Sequence, residues 1–230
     1  MILCVYALVG SPRPVQKVTG IAGERLRGIT AGGIGAVVGE VRRRPAASTR
    51  NLRKYAAIIE SIAAQVPAML PVRFGTTFDD PKELTLALRS RGAATRQRLR
   101  AVRRRTQMTI RIVGSDPDDG RSQGQTPVMG RSGVRPRNKA TQGRQYLQQR
   151  LTVLRTAREV RELTSIRSAV LRFVKDERVE RRGDVITVHH LIPRATAERY
   201  RAAVERAAGQ GGIRLLISGP FAPYAFADNW

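Results

Sequence analysis

Met69-Leu70-Pro71-Val72-Arg73-Phe74-Gly75-Thr76-Thr77-Phe78-Asp79-Asp80-Pro81-Lys82-Glu83 passes from a strand into a helix start within one short stretch. Met69 to Phe74 reads as the strand. Pro71 can open it without losing a ladder hydrogen bond, and alternation sets Val72 and Phe74 on one face and Arg73 on the other. Gly75 permits a turn or a close backbone approach. Asp80 can then cap a helix, Pro81 suits its first turn, and Glu83 occupies its third position. Leu84, Leu88 and Leu99 carry that helix from 81 to about 103. Short strands alternating with helices on both sides of this stretch predict the α+β class.

Upstream, Ile2 to Val9 is a continuous apolar run closed by Gly10-Ser11-Pro12-Arg13-Pro14, which predicts a buried strand. Residues 34–41 form a second main strand, with a shorter one near Leu26 to Thr30. Ser48 or Thr49 can cap a helix whose apolar face is Leu52, Tyr55, Ala56, Ile59, Ala63 and Val66, ended by Pro67. Downstream, Met108, Ile110 and Ile112 alternate with Thr109 and Arg111, so 106–113 reads as a half-buried strand. Residues 114–142 carry Gly, Pro, Ser, Gln and basic side chains without apolar periodicity, the signature of a flexible linker or insertion. The expected organisation is therefore an N-terminal α+β domain over 1–113, the basic segment 114–142, and a smaller α+β domain over 143–230. The second domain opens on a long helix from Arg144, with Tyr146, Leu147, Leu151, Leu154 and Val160 on one face. It continues through a strand at Val170 to Val174, a turn at Arg182-Gly183-Asp184, and a strand over 185–192 that includes Val185, Thr187 and Leu191. A helix over 195–208 turns Tyr200, Ala203, Val204 and Ala207 inward. A last strand runs from Ile213 to Ser218, and Gly219 to Trp230 is an aromatic tail.

Charge is the outlier of the 230-residue composition: 42 Lys plus Arg against 18 Asp plus Glu, a net +24. Such a chain is drawn to polyanions, whether nucleic acid, anionic lipid or an acidic protein surface. No acid lies between Arg89 and Arg111, and Arg96, Arg98, Arg100, Arg103, Arg104 and Arg105 form the candidate basic patch. Aromatic stacking platforms are missing from that patch, which weakens single-strand recognition. Cys4, the single cysteine, excludes an internal disulfide or a thiolate metal cluster and reads as a buried strand residue. The N-terminus lacks a basic leader region and no apolar run reaches the ~20 residues of a membrane span, which predicts a cytoplasmic protein. His189 and His190 are adjacent on a strand, face opposite ways, and have no ligand cluster nearby. Gly32-Gly33-Ile34-Gly35 precedes a strand and lacks a following Gly-Lys-Ser/Thr, so it is no phosphate loop. Nothing in the chain has the pattern of a catalytic, cofactor or metal site, which favours binding over turnover.

Three stretches resemble matching segments of the gas vesicle protein F and L family: Leu70-Pro71-Val72-Arg73-Phe74-Gly75-Thr76-Thr77-Phe78, Gly143-Arg144-Gln145-Tyr146-Leu147, and Gly219-Pro220-Phe221-Ala222-Pro223-Tyr224-Ala225-Phe226-Ala227. Their order and separation match, and Val5-Tyr6-Ala7-Leu8-Val9 is similar to the family's opening strand, so the resemblance covers almost the whole chain. The first and third stretches are long and unusual in composition; the second alone is weak. The resemblance implies two α+β domains, the first a modified ferredoxin-like fold. It also implies a role in gas vesicle formation, through contact with the small hydrophobic shell protein or with other accessory proteins, and no enzymatic activity. The chain departs from the family pattern in its strong positive charge, in Tyr55 where a histidine is common, and in Gln107 and Met108 where an acid and an aromatic are frequent. The charge itself supports an alternative, an RNA- or ribosome-binding protein.

Pro71, Arg73, Phe74 and Gly75, with Gly219, Pro220, Phe221, Pro223, Tyr224 and Phe226, are the candidate partner contacts. Each has a structural reading beside the functional one. Arg73 either pairs within the fold or anchors a partner's carboxylate by bidentate bonding. The proline-restricted tail either straps the core or offers an exposed aromatic strip, and Tyr224 needs a hydroxyl partner if buried.

Overall fold

The structure is a computed structural model, and it describes residues 1–10, 16–113, 161–182, 185–211 and 214–227. Its core is two antiparallel sheets with helices packed on them. The first sheet consists of β1 (Ile2–Val9), β2 (Leu26–Ala31), β3 (Ile34–Val41) and β4 (Met69–Pro71) in the order β2-β3-β1-β4, and the two-residue β5 (Thr77–Phe78) also pairs with β1. β1 is apolar throughout because both of its faces are covered. Cys4, Tyr6 and Val9 pack with Tyr55, Ile59 and Ile62 of α1 (Thr49–Gln65), whereas Leu3, Val5 and Leu8 pack with Leu84 and Leu88 of α2 (Pro81–Ser90) and Leu99 of α3 (Gly92–Ala101). Each fully buried Leu, Ile or Val contributes about 1.5–3 kcal/mol, so this doubly covered strand is the centre of the first half. Cys4 lies within it, and its burial pushes the thiol up to about 11.

The glycine pair at Gly32-Gly33 closes the β2–β3 hairpin. Both residues take positive φ, +58° and +72°, the conformation a two-residue loop demands of its central positions.

The second sheet is ordered β7-β8-β6-β9, from β7 (Asp176–Arg182), β8 (Val185–Pro193), β6 (Arg105–Val113) and β9 (Leu215–Phe221). One face buries Met108, Ile110, Val188 and Ile192 against α4 (Arg161–Val170) and α5 (Ala197–Gly211), with Tyr200, Ala203, Val204 and Ala207 turned inward as their spacing predicts. The opposite face is more polar and meets the C-terminal tail. The first sheet is thus built from residues 2–78, whereas the second joins β6 to elements beyond residue 160.

Several expected elements are corrected. The helix expected over 81–103 is two helices. The Arg91 amide closes α2 on the Ala87 carbonyl, and α3 begins at Gly92, buried against the Gly32 carbonyl. The strand expected at Val170 to Val174 is instead the end of α4 and a turn, because Ile166, Val170 and Phe173 recur at helical spacing against the core. A strand lies just beyond, at Asp176–Arg182, where alternating charged residues hide the pattern. β6 is a central strand rather than a half-buried one, so Gln107 and Thr109 are buried as well as their apolar neighbours. β4 stops at Pro71, and Val72 and Phe74 join different core clusters instead of sharing a face. In α1, Ser48 accepts the Asn51 amide as the cap, but Leu52 and Ala56 are exposed and Ile58 and Ile62 take the buried positions. In β8 the side chains of Ile186, Val188 and Ile192 join the second-sheet core, while Leu191 points to the first-sheet cluster. The last strand runs through Phe221 rather than ending at Ser218. The expected long helix from Arg144, the segment 114–142, the Gly143 to Leu147 motif, Gly183, Asp184 and Trp230 lie outside the described residues.

Candidate functional site

The tail is built by β9 and the residues after it. β9 runs beside β6, pairing Ser218 with Thr109 and Phe221 with Gln107, with a register shift between them. Gly219 falls at that shift with φ +112°, and the Gly219–Pro220 bond is cis. The chain is then tied to both halves of the molecule. Arg201 Nη2 donates to the Gly219 carbonyl at 2.6 Å, and Thr106 Oγ1 donates to the Phe221 carbonyl at 2.8 Å. The Ala222 amide donates to Glu60 Oε1 of α1 at 3.0 Å, and the Ala225 amide to Gln107 Oε1 at 2.8 Å. Ala222 and Phe226 are buried, the first with the α1 side of the core and the second with the α2–α3 side. Phe221 and Tyr224 are each 38% exposed. The tail therefore both straps the two sheets together and leaves two aromatic rings half open to solvent. Burial first, and then the Glu60 carboxylate, push the Tyr224 phenol up.

The strand motif lies against the same strap. Leu70 and Val72 share a cluster with Phe226, and Met69 shares one with Ala222. Tyr55 donates its hydroxyl to the Val72 carbonyl, and its ring meets Phe74 edge-on at 5.4 Å. Gly75 (φ +84°) and the Thr76 amide bonded to the Arg73 carbonyl form an exposed turn. Arg73 itself is exposed and forms no ion pair with a described residue. The internal pairing expected for it is not formed among those residues.

The basic patch divides. Arg96 donates to the Gly32 carbonyl at the hairpin, and Arg98 is half-buried and engaged, so these two serve the fold. Arg100, Arg103 and Arg104 are exposed and Arg105 is half-buried. The turn after α3 brings them to the junction of the sheets. There the Arg104 amide donates to the Pro67 carbonyl at 2.6 Å, and the Arg104 carbonyl accepts the Arg194 amide at 3.0 Å. A cleft of about 290 Å³ opens at this junction, with Ala64, Met69, Arg105, Arg194, Phe221 and Pro223 among its walls. The structure thus gathers one end of the patch, the base of the strand motif and the proline-flanked part of the tail around one seam.

The family model for "Gas vesicle synthesis protein GvpL/GvpF" matches residues 3–228. The chain belongs to the GvpL/GvpF family. Among solved structures it is similar to the gas vesicle protein GvpF from Microcystis aeruginosa, at 17% identity and a TM-score of 0.72 over 99% of each chain. It is also similar to GvpF from Anabaena sp. PCC7120, at 16% identity and a TM-score of 0.71, covering 100% of this chain and 99% of that one. At such identities the structural likeness speaks for the fold, while the family match carries the membership. No curated protein matches the chain by sequence.

Away from the seam, this GvpL/GvpF member holds a buried polar network that the sequence shows only in part. His190 is 1% exposed, with Nδ1 2.6 Å from the Tyr200 hydroxyl and Nε2 2.8 Å from Glu177 Oε2. Arg167 Nη2 donates to Glu177 Oε1 at 2.7 Å. Burial raises the Glu177 carboxyl, but the bonds from His190 and Arg167 outweigh it and hold the group at about 2. His189 faces the other way, as adjacent strand residues must, with Nδ1 3.1 Å from Thr109 Oγ1 and 3.2 Å from Gln107 Nε2. Its burial lowers its basicity. The adjacent histidines signalled opposite faces. The sequence hides the partner Glu177, because the charged side chains of β7 carry no strand signal. No group of three or more His, Cys, Asp or Glu able to hold a metal occurs among the described residues, and none of their helices is long and apolar enough to cross a membrane.

Proposed function

We propose that this GvpL/GvpF family member is an accessory factor of gas vesicle formation, acting by binding rather than by turnover. Its partner is the small hydrophobic shell protein or another accessory protein, and its place of work is the cytoplasm at the gas vesicle. The observation that carries the reading is the family match across residues 3–228. The physical need is plain. A small, very apolar shell subunit must be kept from associating before it joins the wall, since exposed apolar patches drive aggregation. A partner with half-exposed rings such as Phe221 and Tyr224 can shield such a patch. The exposed Arg73 and the arginines at the seam supply cations for an acidic partner surface.

The test is deletion of the gene followed by complementation with Arg73→Ala or Tyr224→Ala, each first checked for folding. Vesicles should be lost on deletion and restored poorly by both variants. Normal vesicles in the deletion strain would refute a required role. Full restoration by both variants would overturn the choice of residues and leave the role standing.

The same reading includes a two-domain chain, one domain per sheet, the first being a modified ferredoxin-like fold. The expected division after residue 113 would leave β6 in the first domain; its pairing with β8 and β9 supports moving the boundary to before Arg105. Calorimetry tests this: two overlapping transitions are expected, and a single two-state transition over the whole chain would count against it.

A further inference from the structure

We infer that the seam cleft is a docking pocket for a partner segment in which a bulky apolar side chain lies next to a carboxylate. The inference rests on the reading that the protein works by binding other proteins, and it names the chemistry of what is bound.

The walls decide the apolar half. Ala64 lies in the last turn of α1 and Pro67 just beyond it, Met69 begins β4, and Phe221 and Pro223 also line the cleft. The side chains of these five residues carry no strong hydrogen-bonding group, and the Pro67 and Phe221 carbonyls are already accepting bonds from Arg104 and Thr106. The Thr106 hydroxyl is already donated to the Phe221 carbonyl. A volume of about 290 Å³ is just below the roughly 300–1,000 Å³ of small-molecule sites, which suits one or two side chains.

The charges decide the other half. Arg105 lines the cleft and forms no ion pair with a described residue. Arg194 also lines it; one of its nitrogens donates to the Ala63 carbonyl at 3.0 Å, and a guanidinium has five N–H donors to offer. Glu60 is the single acid of the lining, and its Oε1 already accepts the Ala222 amide. Arg104 is exposed, and its amide bonds to the carbonyl of Pro67, a residue of the lining. The lining therefore combines two guanidinium groups, against one carboxylate, with apolar side chains, and its complement is an anion attached to an apolar group. A protein segment fits this better than RNA. Phe221 is the single aromatic wall among the described residues, and single-strand binders rely on successive stacking platforms.

The experiment uses the full chain and fluorescence anisotropy. The probe is a fluorescein-labelled peptide of Asp-Phe-Glu-Leu repeats, compared with a Lys-Phe-Lys-Leu peptide and a single-stranded RNA oligonucleotide. Two variants are compared with the parent. Ala64→Trp fills the cleft from an exposed helix position without changing charge, and Arg105→Gln removes one cation. Each should weaken the acidic peptide by about tenfold or more, and the basic peptide should not bind. Thermal melts check that both variants fold. Because Ala64→Trp leaves every charge in place, its effect separates docking from general attraction to a basic protein. Acidic-peptide binding unchanged in Ala64→Trp would overturn the proposal. RNA that displaces the peptide, and is itself lost in Ala64→Trp, would overturn it in favour of a nucleic-acid site. No peptide binding, in a protein whose deletion still abolishes vesicles, would overturn the cleft and leave the assembly role intact.

Discussion

Gly219→Ala is expected to destabilise the protein by about 3 kcal/mol, among the larger effects of a single methyl group. Two causes act together. The residue takes φ +112°, a conformation that L side chains rarely adopt. A Cβ there would also lie 2.7 Å from the Gln107 carbonyl oxygen and 3.1 Å from Met108 Sδ. The methionine tail can move, but the carbonyl belongs to the central strand β6 and cannot retreat without disturbing its pairs on both sides. The strap would have to lift instead, loosening the Arg201 and Thr106 bonds that hold Gly219 and Phe221. For a chain of this size about 3 kcal/mol corresponds to roughly 6–12 °C in melting temperature. Circular dichroism melts measure it, and a shift under about 2 °C would show that the strap adapts. Gly23→Ala is the control: it also has positive φ, but no atom lies within 4 Å of its added Cβ. It should show the smaller, purely conformational loss.

His190→Ala is expected to destabilise by a similar amount, about 3 kcal/mol. It removes a partner of the wholly buried Tyr200 hydroxyl and, among the described residues, one of the two partners of the Glu177 carboxylate. Tyr200→Phe, which removes only the hydroxyl, should lose about 1 kcal/mol. The same network sets an acid limb of stability. Glu177 is held at about 2 against an ordinary 4.5. A depressed carboxyl contributes stability that is fully present above its unfolded value and lost as pH falls toward its folded one. Integrated over that window, the contribution is at most about 3 kcal/mol, reduced by solvent screening of the half-buried carboxylate. Urea unfolding followed down from pH 5 should show the loss, and Glu177→Gln should flatten it. His189, with basicity lowered by burial, adds a separate loss that begins below its ordinary 6.5, so the parent-minus-variant difference reads the Glu177–His190–Arg167 network as a unit. Parallel curves for parent and Glu177→Gln would show that the network does not set the acid limb.

Local signals were strong where one short-range rule governed the chain. Ile2 to Val9 read as a buried strand because a run apolar on both faces has one economical solution, and the structure covers both faces. Asp80 caps α2 with its side chain on the Lys82 amide, as the Asp-Pro-Lys-Glu sequence implies. Tyr200, Ala203, Val204 and Ala207 turned inward as their period requires. The pair Gly32-Gly33 did not read as a hairpin from sequence, though its position between two strands was the available signal. β7 was missed because its side chains, Asp-Glu-Arg-Val-Glu-Arg-Arg, are those of a solvated edge strand, and an edge pays for its place through backbone bonds to β8 rather than through an apolar face.

The sequence by itself determined the α+β class, most of the strands and helices, and the family, through two motifs whose composition is unusual enough to be specific. Those are properties of residues close together in the chain, where period, caps and turn chemistry act over a few positions. Tertiary structure decided what those motifs do physically. Whether β6 lies in the first or the second sheet depends on which backbone donors meet its own, across more than 70 residues to β8. Whether Glu60 holds Ala222, and whether Gln107 holds Ala225, depends on separations of 162 and 118 residues. No local pattern encodes such pairings. They follow from which arrangement buries both apolar faces of the first sheet, covers one face of the second with α4 and α5, and still satisfies the polar atoms left between them.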